Sequence, residues 1–337
     1  MKRYVTILKV IATFLVIIIH TISRTWNILD VSSVSFKTLT LIDCFCRCAV
    51  PIFIMCSGAI FINRDDKLKD IIFKYILKLY LVFIIFNSIY KLFKLVLLEN
   101  NILSFNLIKE ILFSSIKFDY VYQFWFLKII IICYAFIIVF RFIRKKNNTL
   151  LDIFVLLVLF FLLADFESFD LLNINYDFRY LLYFYLGYFF DKYNNKYFNI
   201  IFSILGIISI IYMYKNTITI SVINNTALEN YLYYLNIPVI FTSIMLFSLV
   251  KTICKYYQNI KIYNFFKFQY KYIFGIYLIH GLVIGLLDKI NIIDIYNINS
   301  VFKVITSSLL IYLISMLLII IYYKLKSKIK IQVFRRV

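Results

Sequence analysis

Apolar residues fall in runs of roughly twenty, separated by short polar connectors, and the runs set the reading of the whole chain. Ten candidate membrane spans follow, at about 4–23, 40–63, 71–96, 121–140, 149–164, 178–190, 197–214, 232–251, 270–287 and 301–323. An apolar stretch of that length matches the hydrocarbon thickness of a bilayer, and a helix satisfies its own backbone there. The sixth run is short and reads as tilted or partly re-entrant. The expected fold class is all-α: a polytopic integral membrane helical bundle, one domain over 1–337, with both termini cytoplasmic. The basic start and first apolar run resemble a signal peptide. No small-x-small cleavage site follows promptly, so the run is read as a retained first helix.

Composition sharpens this picture. Of 337 residues 63% are hydrophobic, and the mean hydropathy is +0.89, which excludes an ordinary soluble domain. The net charge of +20 would suit a nucleic-acid binder, but its distribution argues against one. With the N-terminus inside, 25 of the 37 Lys and Arg residues fall in the segments 1–9, 64–78, 141–148, 191–196, 251–271 and 324–337. That is the asymmetry of cytoplasmic loops in a multi-pass membrane protein, and it supports ten spans with both termini cytoplasmic. Acids lean the other way: Asp165, Glu167, Asp170 and Asp177 share one external loop, read first as solvated surface. With two prolines and six glycines, few helices are expected to be broken, which weakens a transporter reading. The cysteines at 44, 46, 48, 56, 133 and 254 lie in or beside apolar runs and lack a usual zinc spacing, so no metal is expected.

Ionisable side chains inside spans are costly and mark candidate chemistry. In the first span Lys9 and His20 stand eleven residues apart. That is about three turns, so they share a face ~16 Å apart along the axis. The plainer reading has Lys9 snorkelling to the interface and His20 bonded to a carbonyl. In the second run Asp43 and Arg47 are spaced to pair, Pro51 frees a carbonyl, and Ser57-Gly58 offers a small surface for close approach. A helix-packing motif with a structural ion pair stands equally beside a site role. Lys67, Lys74 and Lys78 fall near one cytoplasmic face and suit phosphates, or merely topogenic charge and anionic lipid. Trp125 and its neighbours form an outer aromatic belt, which leaves Lys128, a turn deeper, unexplained. His280 is the second of only two histidines and is expected at a depth like that of His20, as a relay partner or a packing residue.

Taken in order, His20 with a basic residue eleven positions earlier, Arg47-x-x-x-Pro51-x-Phe-x-x-x-Ser57-Gly58, Trp125-Phe-Leu and Gly275-Ile-Tyr-Leu-Ile-His280 resemble the acyltransferase 3 family of integral membrane acyltransferases. The resemblance covers nearly the whole chain. Within the family it is similar to the short, single-module members typified by the enterobacterial common antigen O-acetyltransferase. The resemblance implies a ten-helix bundle that uses cytoplasmic acetyl-CoA, as co-substrate, to acylate a carbohydrate at or across the membrane. It implies His20 as the catalytic histidine and Lys9 as its basic partner, where arginine is commoner. The acid usual three residues before that position is here Thr6, and the cytoplasmic arginines after the second helix appear as lysines.

Chemistry supports the same roles. His20 suits removal of a proton from an acceptor hydroxyl, or carriage of the acyl group. Lys9 suits the phosphate end of the donor, and Lys67, Lys74 and Lys78 suit its phosphates at the cytoplasmic face. Arg47 or Lys128 suits a developing oxyanion. Ser57, Trp125, Lys128 and His280 are the candidate substrate-binding residues. The expected partners are membrane lipids and a glycan or lipid-linked glycan acceptor, not nucleic acid. The alternative from another class is a non-enzymatic transporter of a glycolipid or small molecule. The acceptor and the oligomeric state are not legible.

Overall fold

A computed structural model describes residues 2–98, 104–116, 122–162, 176–193, 195–294 and 296–334. Every regular element among the described residues is a helix, with no strand among them. In chain order the helices are α1 (Arg3–Trp26), α2 (Val34–Cys46), α3 (Ala49–Phe61), α4 (Leu68–Val96), α5 (Phe105–Ile116), α6 (Trp125–Ala135) and α7 (Ile137–Lys145). They continue as α8 (Thr149–Phe161), α9 (Leu181–Lys192), α10 (Lys196–Asn224), α11 (Ile237–Tyr256), α12 (Ile260–Tyr270), α13 (Ile273–Lys289) and α14 (Val301–Phe334). The fold is a helical membrane bundle, as the hydropathy pattern requires.

Among the described residues, six helical stretches are long and apolar enough to cross a bilayer, and two bent pairs raise this to eight. The pairs are α6–α7, bent by 41°, and α12–α13, bent by 59°. The expected spans 149–164 and 178–190 appear as α8 and α9, with 13 and 12 residues. At 1.5 Å per residue these reach only about 20 Å, short of the ~30 Å hydrocarbon core. The expectation of few broken helices is corrected, because neither bend sits at a proline or glycine. The helix is interrupted where α6 passes into α7, although the Phe136 N–H still reaches the Ile132 carbonyl, and at Lys271–Tyr272, where the Tyr272 N–H turns to the Gln269 carbonyl at 2.8 Å. Helix α5 falls where an external connector was expected. Of the external acids, Asp165, Glu167 and Asp170 lie outside the described residues, and Asp177 sits in the 3-10 turn Tyr176–Tyr180.

The chain forms two compact units. The first comprises residues 1–53 and 195–337, the second residues 54–194. Helix α1 is the axis of the first unit and packs against α2, α11, α12, α13 and α14. Its most apolar window is 72% buried, whereas that of α10 is only 17% buried. That contrast places α1 inside and gives α10 a lipid-facing row of Ile200, Ile204, Ile207, Ile208 and Ile211. Polar residues survive inside because they bond locally. The Thr13 and Thr21 hydroxyls donate to the Lys9 and Ile17 carbonyls at 2.8 and 2.7 Å. The end of α1 is pinned by Trp26, which stacks on Phe36 at 5.2 Å and donates from Nε1 to Thr40 at 2.9 Å.

In the second unit α4 packs on α5 and α6, and α9 packs on α8. Here α3 and α9 meet backbone to backbone. A Cβ on Gly58 would lie 1.7 Å from the Phe184 carbonyl oxygen, and one on Gly187 would lie 1.8 Å from that of Met55. The small surface expected at Ser57-Gly58 therefore receives another helix.

Candidate active site

The first unit brings three of the expected residues together. His20 on α1 and His280 on α13 have ring centroids 5.2 Å apart. His280 is fully buried and its Nδ1 meets the Tyr277 carbonyl oxygen at 2.6 Å. His20 is half-buried, and Arg47 lies near enough to interact with it electrostatically.

Arg47 is held where α2 ends. Pro51 has no N–H to offer the Arg47 carbonyl, and its ring crowds that oxygen, so the helix breaks between α2 and α3. The expected pair forms. Arg47 Nε donates to Asp43 Oδ1 and Oδ2 at 3.0 and 3.1 Å, and Nη2 donates to Oδ2 at 2.6 Å. Both side chains are under 10% exposed. On its other side Arg47 comes within 3.6 Å of Glu229 and lies 5.9 Å over the Tyr234 ring. A buried guanidinium between a buried and a half-exposed carboxylate is a fixed positive group near the His20 imidazole.

Glu229 and Tyr234 were not anticipated. They lie in the connector between α10 and α11, Glu229 in a polar stretch and Tyr234 near the start of the expected span 232–251, and their approach to Arg47 is a tertiary event. Lys9 is half-buried on α1, three turns from His20, as the spacing requires.

The other expected residues belong to the second unit. Ser57 is buried on α3. The Trp125 ring lies 5.5 Å from that of Tyr180, so it packs as an aromatic anchor. Lys128 is half-buried on α6. Lys67, Lys74 and Lys78 are exposed, and Lys74 pairs with Asp70 at 2.8 Å.

Two further polar centres in this unit were missed. Arg141, read from sequence as topogenic charge, is buried and donates to the Phe61 carbonyl at 2.9 Å, to the Asp66 carbonyl at 2.8 Å and to the Asp66 carboxylate at 3.1 Å. It shapes the turn between α3 and α4, and Arg144 bonds the adjoining Asp65. Asp152 is buried on α8 and accepts from Tyr185 at 2.6 Å, Tyr193 at 2.7 Å and Lys192 at 2.9 Å. A lone acid within an apolar run was the available signal for it. The six cysteines are free thiols, five of them buried.

A family model described as "Acyltransferase domain" matches residues 2–324. No curated protein and no solved structure matches the chain.

Proposed function

The chain belongs to the acyltransferase 3 family and is a multi-pass membrane acyltransferase, and from that premise we propose that it moves an acetyl group from acetyl-CoA to a hydroxyl of a cell-surface polysaccharide or its lipid-linked precursor, in a bacterial plasma membrane. The observation that carries the proposal is the His20–His280 pair beside the buried Arg47. An acyl transfer needs a base at the attacking hydroxyl and positive charge at the developing oxyanion, and that pairing holds both.

In the proposed step His20 takes the hydroxyl proton while the oxygen attacks the thioester carbonyl. The new C–O bond forms, the C–S bond breaks, and the proton on His20 passes to the leaving thiolate. Arg47 supports negative charge on the carbonyl oxygen, with Lys128 as the second candidate. Lys9 draws the donor's phosphate end. Lys67, Lys74 and Lys78, all exposed cations, supply charge for its phosphates as point donors without the fork of arginine. Ser57 and Trp125 are proposed for the acceptor.

The test is transfer or hydrolysis of radiolabelled acetyl-CoA by purified protein in nanodiscs, wild type beside His20→Ala. Removing a general base is expected to lower turnover by about 10²–10⁴-fold, with insertion and thermal unfolding retained. Equal turnover in both proteins would move the chemistry away from His20.

A further inference from the structure

His280 shows which of its nitrogens carries hydrogen. Its Nδ1 lies 2.6 Å from the Tyr277 carbonyl oxygen. A carbonyl only accepts, so in the neutral ring Nδ1 is the protonated nitrogen and Nε2 holds the lone pair. That Nε2 is buried and has no hydrogen-bond partner among the described residues. A buried acceptor left unpaired costs on the order of 1–3 kcal/mol, so such groups in native proteins call for an explanation. The ring beside it is His20, tilted by 39° with centroids 5.2 Å apart. Imidazole nitrogens stand about 1.1 Å from their ring centre, so facing nitrogens at this spacing reach about 3 Å, which is hydrogen-bond range.

We infer that His280 is the positioning residue of His20. Its Nε2 accepts the N–H of one His20 nitrogen, which fixes the His20 tautomer and leaves the other nitrogen's lone pair for the acceptor hydroxyl. The inference rests on the reading of His20 as the base. The role is the one a carboxylate commonly plays behind a catalytic or metal-binding histidine. Here a neutral ring plays it, in a membrane core where an added carboxylate would be a further buried charge. The proton count closes without His280 changing its charge. The hydroxyl proton goes to His20 and on to the thiolate, while Nδ1–H of His280 stays on the Tyr277 carbonyl.

The chain contains only two histidines, so ¹⁵N-histidine labelling yields two imidazoles, assigned by His20→Ala. Nitrogen NMR in nanodiscs is expected to show His280 protonated at Nδ1 and bare at Nε2, with the Nε2 signal moving when His20 is removed. A protonated Nε2, or an Nε2 signal indifferent to His20, overturns the inference. Activity supplies the second arm. His280→Gln retains an oxygen acceptor and His280→Phe does not. Acetyl-CoA turnover is expected to fall roughly 10–100-fold in the Phe variant and to recover in part with Gln, while KM for acetyl-CoA and the unfolding temperature hold in both. A Phe variant as active as wild type, or equal losses in the two, refutes the positioning role. A wild type that neither transfers nor hydrolyses acetyl group would overturn the acyl-donor reading instead, and the NMR result would still decide the pairing.

Discussion

Replacing Arg47 and Asp43 singly and together separates a structural ion pair from a working one. Arg47→Met removes three charge-assisted contacts and strands the Asp43 carboxylate, whose side chain is 5% exposed. Breaking a buried pair from one side costs about 3–5 kcal/mol. Asp43→Leu is expected to cost less, because Glu229 already stands 3.6 Å from the guanidinium on a side that is 35% exposed and takes over as partner. The double variant replaces both charges with apolar groups and is expected to return to within about 1 kcal/mol of wild type. Thermal unfolding read with a thiol-reactive dye suits the protein, since five free cysteines are buried until the bundle opens. Acetyl transfer is measured on the same samples. A stable but inactive double variant assigns Arg47 to the chemistry. Single variants as stable as wild type would refute the energetic reasoning, and a double variant that regained activity would leave Arg47 a purely structural role.

Gly58→Ala is expected to destabilise by about 1–3 kcal/mol or more, because its Cβ meets the Phe184 backbone, which cannot rotate away. Gly206→Ala meets Met245 Cβ at 2.5 Å and its more mobile Sδ at 2.7 Å, with no carbonyl in the way, and is expected to be milder than Gly58→Ala; equal unfolding temperatures for the two would contradict this. Asp152→Ala leaves the Tyr185 hydroxyl and the Lys192 amine without their acceptor, so a loss of about 1–3 kcal/mol is expected, larger than that of Asp152→Asn. Circular-dichroism melts in detergent that ranked Asn below Ala would count against the network.

What was legible from the sequence follows from the range of the interaction concerned. Helix α1 and its Lys9–His20 face were legible because hydropathy and helical period are local. So was the Asp43–Arg47 pair, which lies within one turn. The meeting of His20 with His280 was foreshadowed as a relay at similar depth, with packing as the equal alternative, since nothing in either helix specifies that α1 and α13 are neighbours. Glu229 was invisible for the same reason, sitting in a connector with no period. Arg141 was misjudged because a cation after an apolar run reads as topology, whereas here it donates to the turn formed by Phe61 and Asp66. The bends at Phe136 and at Lys271–Tyr272 carry no proline or glycine, so neither was marked. The short α8 and α9 were counted as spans because composition alone does not fix where a helix stops.

The Pro51 break also changes the electric field within the bundle. A continuous helix over 34–61 would place its partial charges at the two ends of the span. Interrupting it at Arg47–Cys48 leaves the Arg47 carbonyl without the N–H that Pro51 lacks, a local negative end at the close of α2. Arg47 is the C-cap residue of α2, so it stands at the negative pole. Its cation is stabilised there by peptide dipoles as well as by Asp43. Restoring an N–H at position 51 would therefore give the Arg47 carbonyl its helical partner and leave the carboxylates with a larger share in holding the charge.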